Sequence, residues 1–322
     1  LLSNSNIHQK VSNLEHLLSV SVRLRVLSLP PVCRDCRLPI RLKCCQHVRL
    51  AVLFSGGLDS TILALLAHRS LPHNEPIDLY NVAFESPRTS NFRVPDRITA
   101  ESSLSELKSL APDRLWNLVE INVTQEELCR LRSEQIKHLI YPLDSVLDDS
   151  LGCALWFAAR GEGTLNGEFY RSPARIVLLG MGADELFGGY SRHRRTLKAK
   201  GWTELGRELE TELWSISRRN LGRDNRIVAD HGRQPRAPFL DEGVVKFALG
   251  LPPWEKCCPT PEMAPGLGDK LLLRLVARHV GLEGAATLPK RALQFGSRIA
   301  NPKEKGHQKS QRLKQNCDNE QI

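Results

Sequence analysis

Arg49-Leu50-Ala51-Val52-Leu53-Phe54 is followed directly by Ser55-Gly56-Gly57-Leu58-Asp59-Ser60, and this stretch decides the fold. The first six residues have the apolar pattern of a buried strand, and the apolar residues from Thr61 onward predict a helix. The two glycines allow a ligand to approach the backbone closely, and a helix start presents free N–H groups to an anion. The sequence therefore predicts a phosphate loop between a strand and a helix.

The acidic residue within this loop, Asp59, indicates a metal ion. A carboxylate next to bare phosphate is repelled, so we expect a magnesium ion between them. The commonest phosphate loop carries a lysine directly after its last glycine, and none follows Gly57. A kinase or a GTPase is therefore disfavoured. The plainer alternative is a glycine-rich turn in which an aspartate or serine only caps the helix.

Three further blocks of sequence belong with this loop. They are Arg175-Ile176-Val177-Leu178-Leu179-Gly180, which runs into Met181–Tyr190, then Arg236-Ala237-Pro238-Phe239-Leu240-Asp241, and Lys290-Arg291-Ala292-Leu293-Gln294-Phe295-Gly296. Together with the phosphate loop, they resemble the synthetase domain of the glutamine-dependent asparagine synthetase family. They occur in the family's order over roughly residues 49 to 300, and with Val146–Cys153 they are closest to a divergent eukaryotic branch.

The resemblance implies a fold and a reaction. The fold class is α/β, a mainly parallel sheet flanked by helices (adenine nucleotide α-hydrolase-like, with a pyrophosphatase loop) and a helical C-terminal part. The implied enzyme is an ATP-dependent amide ligase of asparagine biosynthesis that uses ATP and Mg²⁺. It adenylates aspartate or a related carboxylate, and AMP and pyrophosphate leave as ammonia attacks. The alternation of strands and helices from Arg49 onward separately predicts a parallel sheet with ligand at the carboxyl ends of its strands.

The resemblance also assigns roles to individual residues. Mg²⁺ is expected on Asp59 and Asp184. Lys290, or Arg291 in its place, is expected to stabilise negative charge on the phosphorus or on the leaving pyrophosphate. The residues expected to bind ATP are Ser55, Gly56, Gly57, Leu58, Asp59, Ser60, Val82 and Gly180.

Several of these roles have a simpler structural alternative. Val82 would be a core residue of its strand, and Lys290 a solvated side chain. Asp184 and its neighbour Glu185 would be acids in the first turn of a helix, next to its positive end. The glycines on both sides favour a ligand role for Asp184 and leave Glu185 undecided.

The chief departure from the family pattern is Met181. The family carries a glutamate at this place, which is thought to manage protons when ammonia attacks the adenylate. A thioether cannot accept a proton, and general-base help is worth about 10²–10⁴-fold in rate. The alternative function is therefore a nucleotide-binding pseudoenzyme that acts as an interaction or regulatory module.

The chain of 322 residues is predicted to have three parts. Residues 1–48 are expected to be a linker or the remnant of an upstream glutaminase-like domain, residues 49–300 the asparagine synthetase-type ATP-pyrophosphatase domain, and residues 301–322 a disordered polar tail. Residues 1–48 are too few for a glutaminase, so this chain is not expected to hydrolyse glutamine. An upstream glutaminase domain is expected only in a full-length form.

Composition bears on location and partners. Residues 1–48 carry seven Lys/Arg against two Asp/Glu, and residues 301–322 carry five against three, so much of the net charge of +9 lies in the end segments. No basic and aromatic residues alternate as in nucleic-acid sites, and no apolar run reaches the ~20 residues of a membrane span. We expect a cytoplasmic protein without nucleic-acid or membrane partners. An RNA-modifying enzyme with the same loop is the third, less favoured class.

The nine cysteines show no disulfide framework. Cys33 and Cys36, followed by the adjacent Cys44 and Cys45, hint at zinc, but four-ligand zinc sites usually show two spaced pairs. Ordinary free thiols are therefore the prediction.

Overall fold

Seven strands form one sheet at the centre of the structure, a computed structural model that describes residues 4–30, 32–37, 45, 47–86, 91–260, 263, 267–301 and 304–313. The strands are β1 (Leu50–Leu53), β2 (Ile77–Phe84), β3 (Trp116–Val123), β4 (Glu162–Leu165), β5 (Glu168–Arg171), β6 (Ile176–Leu178) and β7 (Gln234–Arg236). Their spatial order is β5-β4-β3-β2-β1-β6-β7. Strands β1, β2, β3, β6 and β7 pair in parallel, and β4 and β5 pair antiparallel at one edge. The predicted mainly parallel sheet is confirmed.

Helices lie on both faces of the sheet and dominate the second half of the chain, which confirms the predicted helical C-terminal part. They are α1 (Ser5–Leu27), α2 (Leu58–Ser70), α3 (Pro95–Leu110), α4 (Gln125–Leu131), α5 (Lys137–Ile140), α6 (Val146–Arg160), α7 (Ala183–Phe187), α8 (Ser191–Ile216), α9 (Gly222–Ala229), α10 (Glu242–Leu249), α11 (Pro253–Lys256), α12 (Leu271–His279), α13 (Glu283–Thr287) and α14 (Leu293–Gly296). Among the described helices, none combines the length and the apolar character that crossing a bilayer requires.

The alternating side chains of the strands supply two hydrophobic cores, one on each face. Leu50 and Val52 of β1 belong to the core that includes α1, α2 and α12. Ala51 of β1 and Tyr80 of β2 belong to the other core, which includes α6 and α9. This division is the one that a strand period of two produces when both faces are covered by helices.

Strand β1 lies where the order of the strands reverses. The chain moves from β1 to β2 and β3 on one side, and β6 and β7 are added on the other side of β1. Ligands of open parallel sheets bind beyond the carboxyl ends of the strands at such a reversal. The loops that follow β1 and β6 therefore lie side by side at the position where the fold favours a binding site.

Helix α1 lies in the region predicted to be a linker or domain remnant, but it packs into the main core. Leu14, Leu18 and Val22 are fully buried, and the helix contacts α2, α10 and α12. The Ser21 hydroxyl donates a hydrogen bond to the carbonyl oxygen of Pro238 at 2.7 Å. Its apolar residues recur at helical spacing, which gives one face to bury. We therefore propose that this helix is part of the same folded unit as the residues from 49 onward.

We expect Leu18→Ala to lower the free energy of unfolding by about 2–5 kcal/mol, because truncating a buried leucine loses transfer energy and leaves a cavity. Urea unfolding followed by circular dichroism measures the loss. Leu24→Ala is the matched control, since Leu24 lies on the same helix and is 61% exposed. Equal stabilities of the two variants would contradict the inclusion of α1 in the folded unit.

Residues 304–313 of the predicted disordered tail are folded. Lys309 forms an isolated β-bridge with Ser145, and the Ser310 hydroxyl donates to Asp149 Oδ2 at 2.8 Å. Arg312 Nε donates to the same oxygen at 3.0 Å. Asp149 is fully buried, and a buried carboxylate requires such partners. The prediction of disorder therefore does not describe residues 304–313, and residues 314–322 lie outside the described residues.

The hairpin of β4 and β5 was not predicted from the sequence. Its turn is Asn166-Gly167, with φ of 54° and 88°. An Asn-Gly pair at a two-residue turn is the strongest short-range signal of a hairpin, because both residues need positive φ. The signal was present, but the flanking strands have only four residues each.

Candidate active site

The loop after β1 is fixed by hydrogen bonds to its carbonyl groups. Ser103 Oγ donates to the Gly56 oxygen at 2.6 Å, and Thr61 Oγ1 donates to the Gly57 oxygen at 2.9 Å. Gly56 has φ of 74°, and a Cβ there would overlap the backbone of Ala100. No side chain in the part of the chain that the structure describes caps the start of α2 at Gly57. The loop is thus held rigidly and leaves the positive end of a 13-residue helix uncapped by any side chain.

The loop after β6 brings a second acid to the same place. Gly182 has φ of 94°, and a Cβ at this residue would lie 2.5 Å from Leu240. A Cβ at Gly189 would overlap the Asp184 carboxylate, and one at Gly180 would lie 3.1 Å from Asp59 Cβ. The glycines therefore let the second loop pass directly against Asp59 and leave room for the Asp184 side chain.

Two lysines bind these two carboxylates. Lys270 Nζ lies 2.8 Å from both carboxylate oxygens of Asp59 and 3.0 Å from Asp184 Oδ1. Lys290 Nζ lies 2.9 Å from Asp184 Oδ2 and 4.8 Å from the centre of the Tyr190 ring. The four residues Asp59, Asp184, Lys270 and Lys290 are called the ion cluster below.

Burial and the neighbouring charges displace the pKa values of Asp59 and Asp184 in opposite directions. Burial raises the pKa of Asp59 above its ordinary value, and Lys270 offsets only part of that rise. Burial would also raise the pKa of Asp184, but the ammonium groups of Lys270 and Lys290 outweigh it and hold that pKa below its ordinary value. Burial opposes the charge of Lys270, yet the two carboxylates raise its pKa. Lys270 is therefore a permanently charged bridge between the two loops at neutral pH.

Lys270 is the member of the ion cluster that the sequence did not reveal. It lies 211 residues from Asp59 along the chain and is only 2% exposed. Its backbone has a positive φ of 52°, unusual for a residue with a side chain, directly before α12. The one available signal is that the segment Gly268-Asp269-Lys270 precedes an apolar helix, which does not distinguish a buried lysine from a solvated one.

A cavity of about 670 Å³ opens beside the ion cluster. Its charged lining is mainly basic, with nine cations against five anions. The cations are Lys270, Lys290, Arg192, Arg194, Arg195, Arg219, Arg223, Arg274 and Arg291, and the anions are Asp59, Asp184, Glu185, Asp224 and Asp269. Clefts lined by one dominant sign of charge concentrate ligands of the opposite sign. The cavity is therefore suited to a polyanion.

Glu185 also lines the cavity, but its carboxylate is already engaged. The Tyr190 hydroxyl donates a hydrogen bond of 2.6 Å to Glu185 Oε1. Burial raises the pKa of Glu185, the hydrogen bond from Tyr190 lowers it in part, and the neighbouring Asp184 raises it again. Burial likewise raises the pKa of Tyr190, so its hydroxyl stays a proton donor.

The structure brings most of the predicted site residues to this cavity. Those that line it are Ser55, Gly57, Leu58, Asp59, Ser60, Gly180, Asp184, Lys290 and Arg291. Gly56 supports the loop from behind, through its carbonyl oxygen. Val82 does not line the cavity; it is 3% exposed and packs in the core beside α6, so the plainer alternative of core packing describes it. Arg291 lines the cavity, while the ion pair with Asp184 is made by Lys290.

The carboxylates and backbone N–H groups of this site suit Mg²⁺ and a nucleoside triphosphate. Two carboxylates converge on one point from neighbouring strand ends, and oxygen ligands are those that Mg²⁺ prefers. Both carboxylates are paired with lysines, so a metal ion bound by them competes with the Lys270 ammonium. The glycine corner and the uncapped helix start suit phosphate oxygens, although the Ser60 hydroxyl donates to the Gly57 oxygen at 3.1 Å.

A buried carboxyl lies behind the cavity. Asp96, near the start of α3, is 4% exposed, and its Oδ2 has no hydrogen-bond partner among the described residues. Burial raises its pKa to about 7, with Arg291 and Lys290 offsetting part of the rise. Because the folded protein retains a proton that the unfolded chain releases, stability falls as pH rises from about 4 to about 7.

We expect Asp96→Asn to be more stable than the wild type by a margin that grows with pH. Each pKa unit is worth about 1.4 kcal/mol and the rise is about three units, so the margin should approach about 4 kcal/mol at pH 8 and be about 1 kcal/mol near pH 4.5. Urea midpoints at a series of pH values measure it. Asp113→Asn, at an exposed aspartate, is the control. A margin that does not change between pH 4.5 and pH 8 would contradict the assignment.

Comparison with known proteins places this site in context. A family model described as asparagine synthase matches residues 40–202 and 197–319. This chain is 49% identical to an asparagine synthetase domain-containing protein of Drosophila melanogaster over 326 residues, which cover 97% of the chain and 56% of that protein. It is 46% identical to asparagine synthetase domain-containing protein 1 of Homo sapiens over 342 residues, which cover 92% of this chain and 52% of that protein.

A bacterial protein shows a more distant similarity. The chain is 25% identical to asparagine synthetase B (glutamine-hydrolyzing) of Escherichia coli strain K12 over 225 residues, which cover 68% of the chain and 37% of that protein. The chain spans about half the length of the two animal relatives.

Proposed function

This chain belongs to the asparagine synthase family, and from that premise we propose that it is an ATP-dependent amide ligase. It adenylates aspartate or a related carboxylate and forms the amide with ammonia, as asparagine biosynthesis requires. The observation that carries the proposal is the ion cluster. Asp59, after β1, and Asp184, after β6, meet between neighbouring strand ends, next to a basic cavity.

The proposal gives each element of the site a task. The loop Ser55–Ser60 binds the phosphates of ATP through backbone N–H groups and the positive end of α2. Asp59 and Asp184 hold Mg²⁺, which when bound neutralises phosphate charge and polarises the reacting phosphoryl group. Lys290 supplies positive charge where negative charge develops on the leaving pyrophosphate, and Arg291 is the alternative for this task.

The proposed reaction has two steps. An oxygen of the substrate carboxylate attacks the α phosphorus, the bond from that phosphorus to the bridging oxygen breaks, and pyrophosphate leaves. Ammonia then attacks the acyl carbon, the bond from that carbon to the AMP oxygen breaks, and the nitrogen gives up a proton. The amide and AMP are the products.

The proposal also includes the nitrogen donor and the cellular location. Ammonia is the nitrogen donor of this chain, and an upstream glutaminase domain would supply it in a full-length form. The cytoplasm is the proposed location, because the cysteines of the sequence show no disulfide framework of the kind that oxidising compartments favour.

Exchange of labelled pyrophosphate into ATP tests the adenylation step alone. We expect exchange by the purified protein that depends on both aspartate and Mg²⁺. Parallel reactions with glutamate, with other amino acids and without any carboxylate identify the substrate. Exchange at background level with every carboxylate tested would overturn the ligase proposal.

A second candidate function rests on Met181, which lines the cavity at the place of the family's glutamate. Met181 is half-buried and packs against the core beside α6, and its thioether cannot accept a proton. A pseudoenzyme would bind ATP and Mg²⁺ without exchange. Titration calorimetry with ATP and Mg²⁺, run beside the exchange assay, separates this candidate from the ligase.

The variant Met181→Glu tests whether the amide step lacks only a base. If the site retains the chemistry, amide formation with ammonia should rise by about 10²-fold or more, the usual worth of general-base help. Met181→Gln is the matched control, because glutamine has a similar size and cannot accept the proton. Equal rates in the two variants would favour the pseudoenzyme.

A further inference from the structure

A second cluster of metal-ligand side chains lies outside the active site. Cys33, Cys36, Cys45 and His47 each place one ligand atom within 4.8 Å of the others. We propose that these four residues bind one zinc ion with a structural role. None of them lines the cavity described above.

The separations between the ligand atoms match a tetrahedral zinc site. Zn–S bonds of about 2.3 Å and Zn–N bonds of about 2.0–2.1 Å place sulfur and nitrogen about 3.6 Å apart at the tetrahedral angle. In the structure, His47 Nδ1 lies 3.4 Å from Cys33 Sγ and 3.6 Å from Cys45 Sγ. Three cysteines and one histidine form a common ligand set of structural zinc sites.

Hydrogen bonding alone explains this arrangement poorly. A ring nitrogen that accepts a hydrogen bond has one lone pair, in the plane of the ring, and a thiol is a weak donor. Cys33 and Cys45 nevertheless both approach the same nitrogen of His47. A metal ion among the four groups satisfies all of them at once, since each donates one lone pair to it.

The place of the cluster in the fold indicates a structural role. Its residues belong to the segment between the end of α1 at Leu27 and the start of β1 at Leu50. The phosphate loop follows the other end of β1, and the extended chain from His47 to Phe54 spans roughly 20 Å at about 3.3 Å per residue. Cys33 is 4% exposed, so water is largely excluded from one side of the cluster. Zinc here would stabilise the segment that connects α1 to the central sheet.

The sequence alone favoured free thiols for a specific reason. The pair considered with Cys33 and Cys36 was the adjacent Cys44 and Cys45, which does not have the spacing of a zinc site. In the structure, the second pair of ligands is instead Cys45 and His47, which are two residues apart in the chain. This is a spaced pair, as zinc sites usually have. Cys44 lies outside the described residues.

The second group of possible metal ligands found among the described residues carries no zinc proposal. His193, Glu208 and Glu212 also lie within reach of one another. The Glu212 carboxylate already pairs with Arg192, and it lies 2.9 Å from His193 Nε2. Arg192 Nε also lies 3.6 Å from Glu208. These acids have cationic partners of their own.

Metal analysis of the purified protein tests the proposal without any activity assay. We expect one zinc per chain after gel filtration in metal-free buffer, and loss of most of it in Cys36→Ser and in His47→Ala. Cys258→Ser is the matched control, because Cys258 is half-buried and outside the cluster; it should retain the zinc. Less than about a tenth of an equivalent in the wild type, iron in place of zinc, or a disulfide among these cysteines would overturn the proposal.

A second measurement uses only the wild-type protein, so it does not depend on whether the variants fold. Wild-type protein stripped of metal and titrated with Co²⁺ should develop the strong visible absorption of a tetrahedral thiolate site, saturating at one equivalent. Added Zn²⁺ should abolish that absorption and protect three thiols from a thiol reagent. Only the weak absorption of octahedral Co²⁺, with every thiol still reactive, would contradict the site even if the variants misfold.

Discussion

Replacing Lys270 with methionine should lower the free energy of unfolding by about 3 kcal/mol. Removing one partner from a buried ion pair typically costs about 3–5 kcal/mol, because an uncompensated charge stays behind. The lower end applies here, since the side chains of Asp59 and Asp184 keep 22% and 18% of their surface exposed. In the variant, Lys290 still pairs with Asp184, but Asp59 loses the ammonium that contacts both of its oxygens.

Urea unfolding of the two proteins measures this loss. Lys108→Met is the matched control, because Lys108 is an exposed lysine of helix α3, and its removal should change stability by less than about 0.5 kcal/mol. Overlapping unfolding curves for Lys270→Met and Lys108→Met would show that the ion cluster does not join the two loops.

The same variant also tests where a metal ion binds. If the two carboxylates are the Mg²⁺ ligands, as we propose, Mg²⁺ must compete with the Lys270 ammonium for them, so Mg²⁺ without nucleotide should stabilise the wild type little. In Lys270→Met the carboxylates are released, and added Mg²⁺ should recover part of the lost stability through binding to the folded state. The same response to Mg²⁺ in both proteins would mean that these carboxylates are not its ligands.

Asp184→Asn should reduce aspartate-dependent pyrophosphate exchange by about a thousandfold. A metal ion stabilises a phosphoryl transition state by several kcal/mol, and each 1.4 kcal/mol corresponds to about tenfold in rate. Asparagine keeps the shape of the side chain but removes the charge that pairs with both Lys270 and Lys290 and that we propose binds Mg²⁺. The Mg²⁺ concentration needed for half-maximal rate should rise as well.

Exchange rates at a series of Mg²⁺ concentrations measure both effects. Asp113→Asn, the same chemical change at an exposed turn, should behave as the wild type. Circular dichroism confirms that each variant is folded before its rate is compared. An Asp184→Asn protein that retains more than about a third of the exchange rate would exclude Asp184 as a metal ligand of the reaction.

The elements that the sequence predicted well are those whose signals are local. The buried run before Ser55, the glycines that follow and the apolar helix after them lie within about twenty residues, and β1 and α2 form there. Strand β2 (Ile77–Phe84) likewise forms in a mostly apolar run, and all of its residues are buried. Asp184 lies beside Asp59 because β1 and β6 pair in parallel and therefore end at a common edge of the sheet.

The sequence by itself determined the strand–loop–helix at Ser55–Ser60, the mainly parallel sheet and the acid after β6, since each depends on residues close together in the chain. The tertiary structure decided that α1 completes the core, that Lys270 joins the two acids, and that Cys33 meets His47. The physical reason is that a pairing between distant residues has no periodic signal of its own. Lys270 and Asp59, 211 residues apart, become neighbours only when helix α12 packs beside α2.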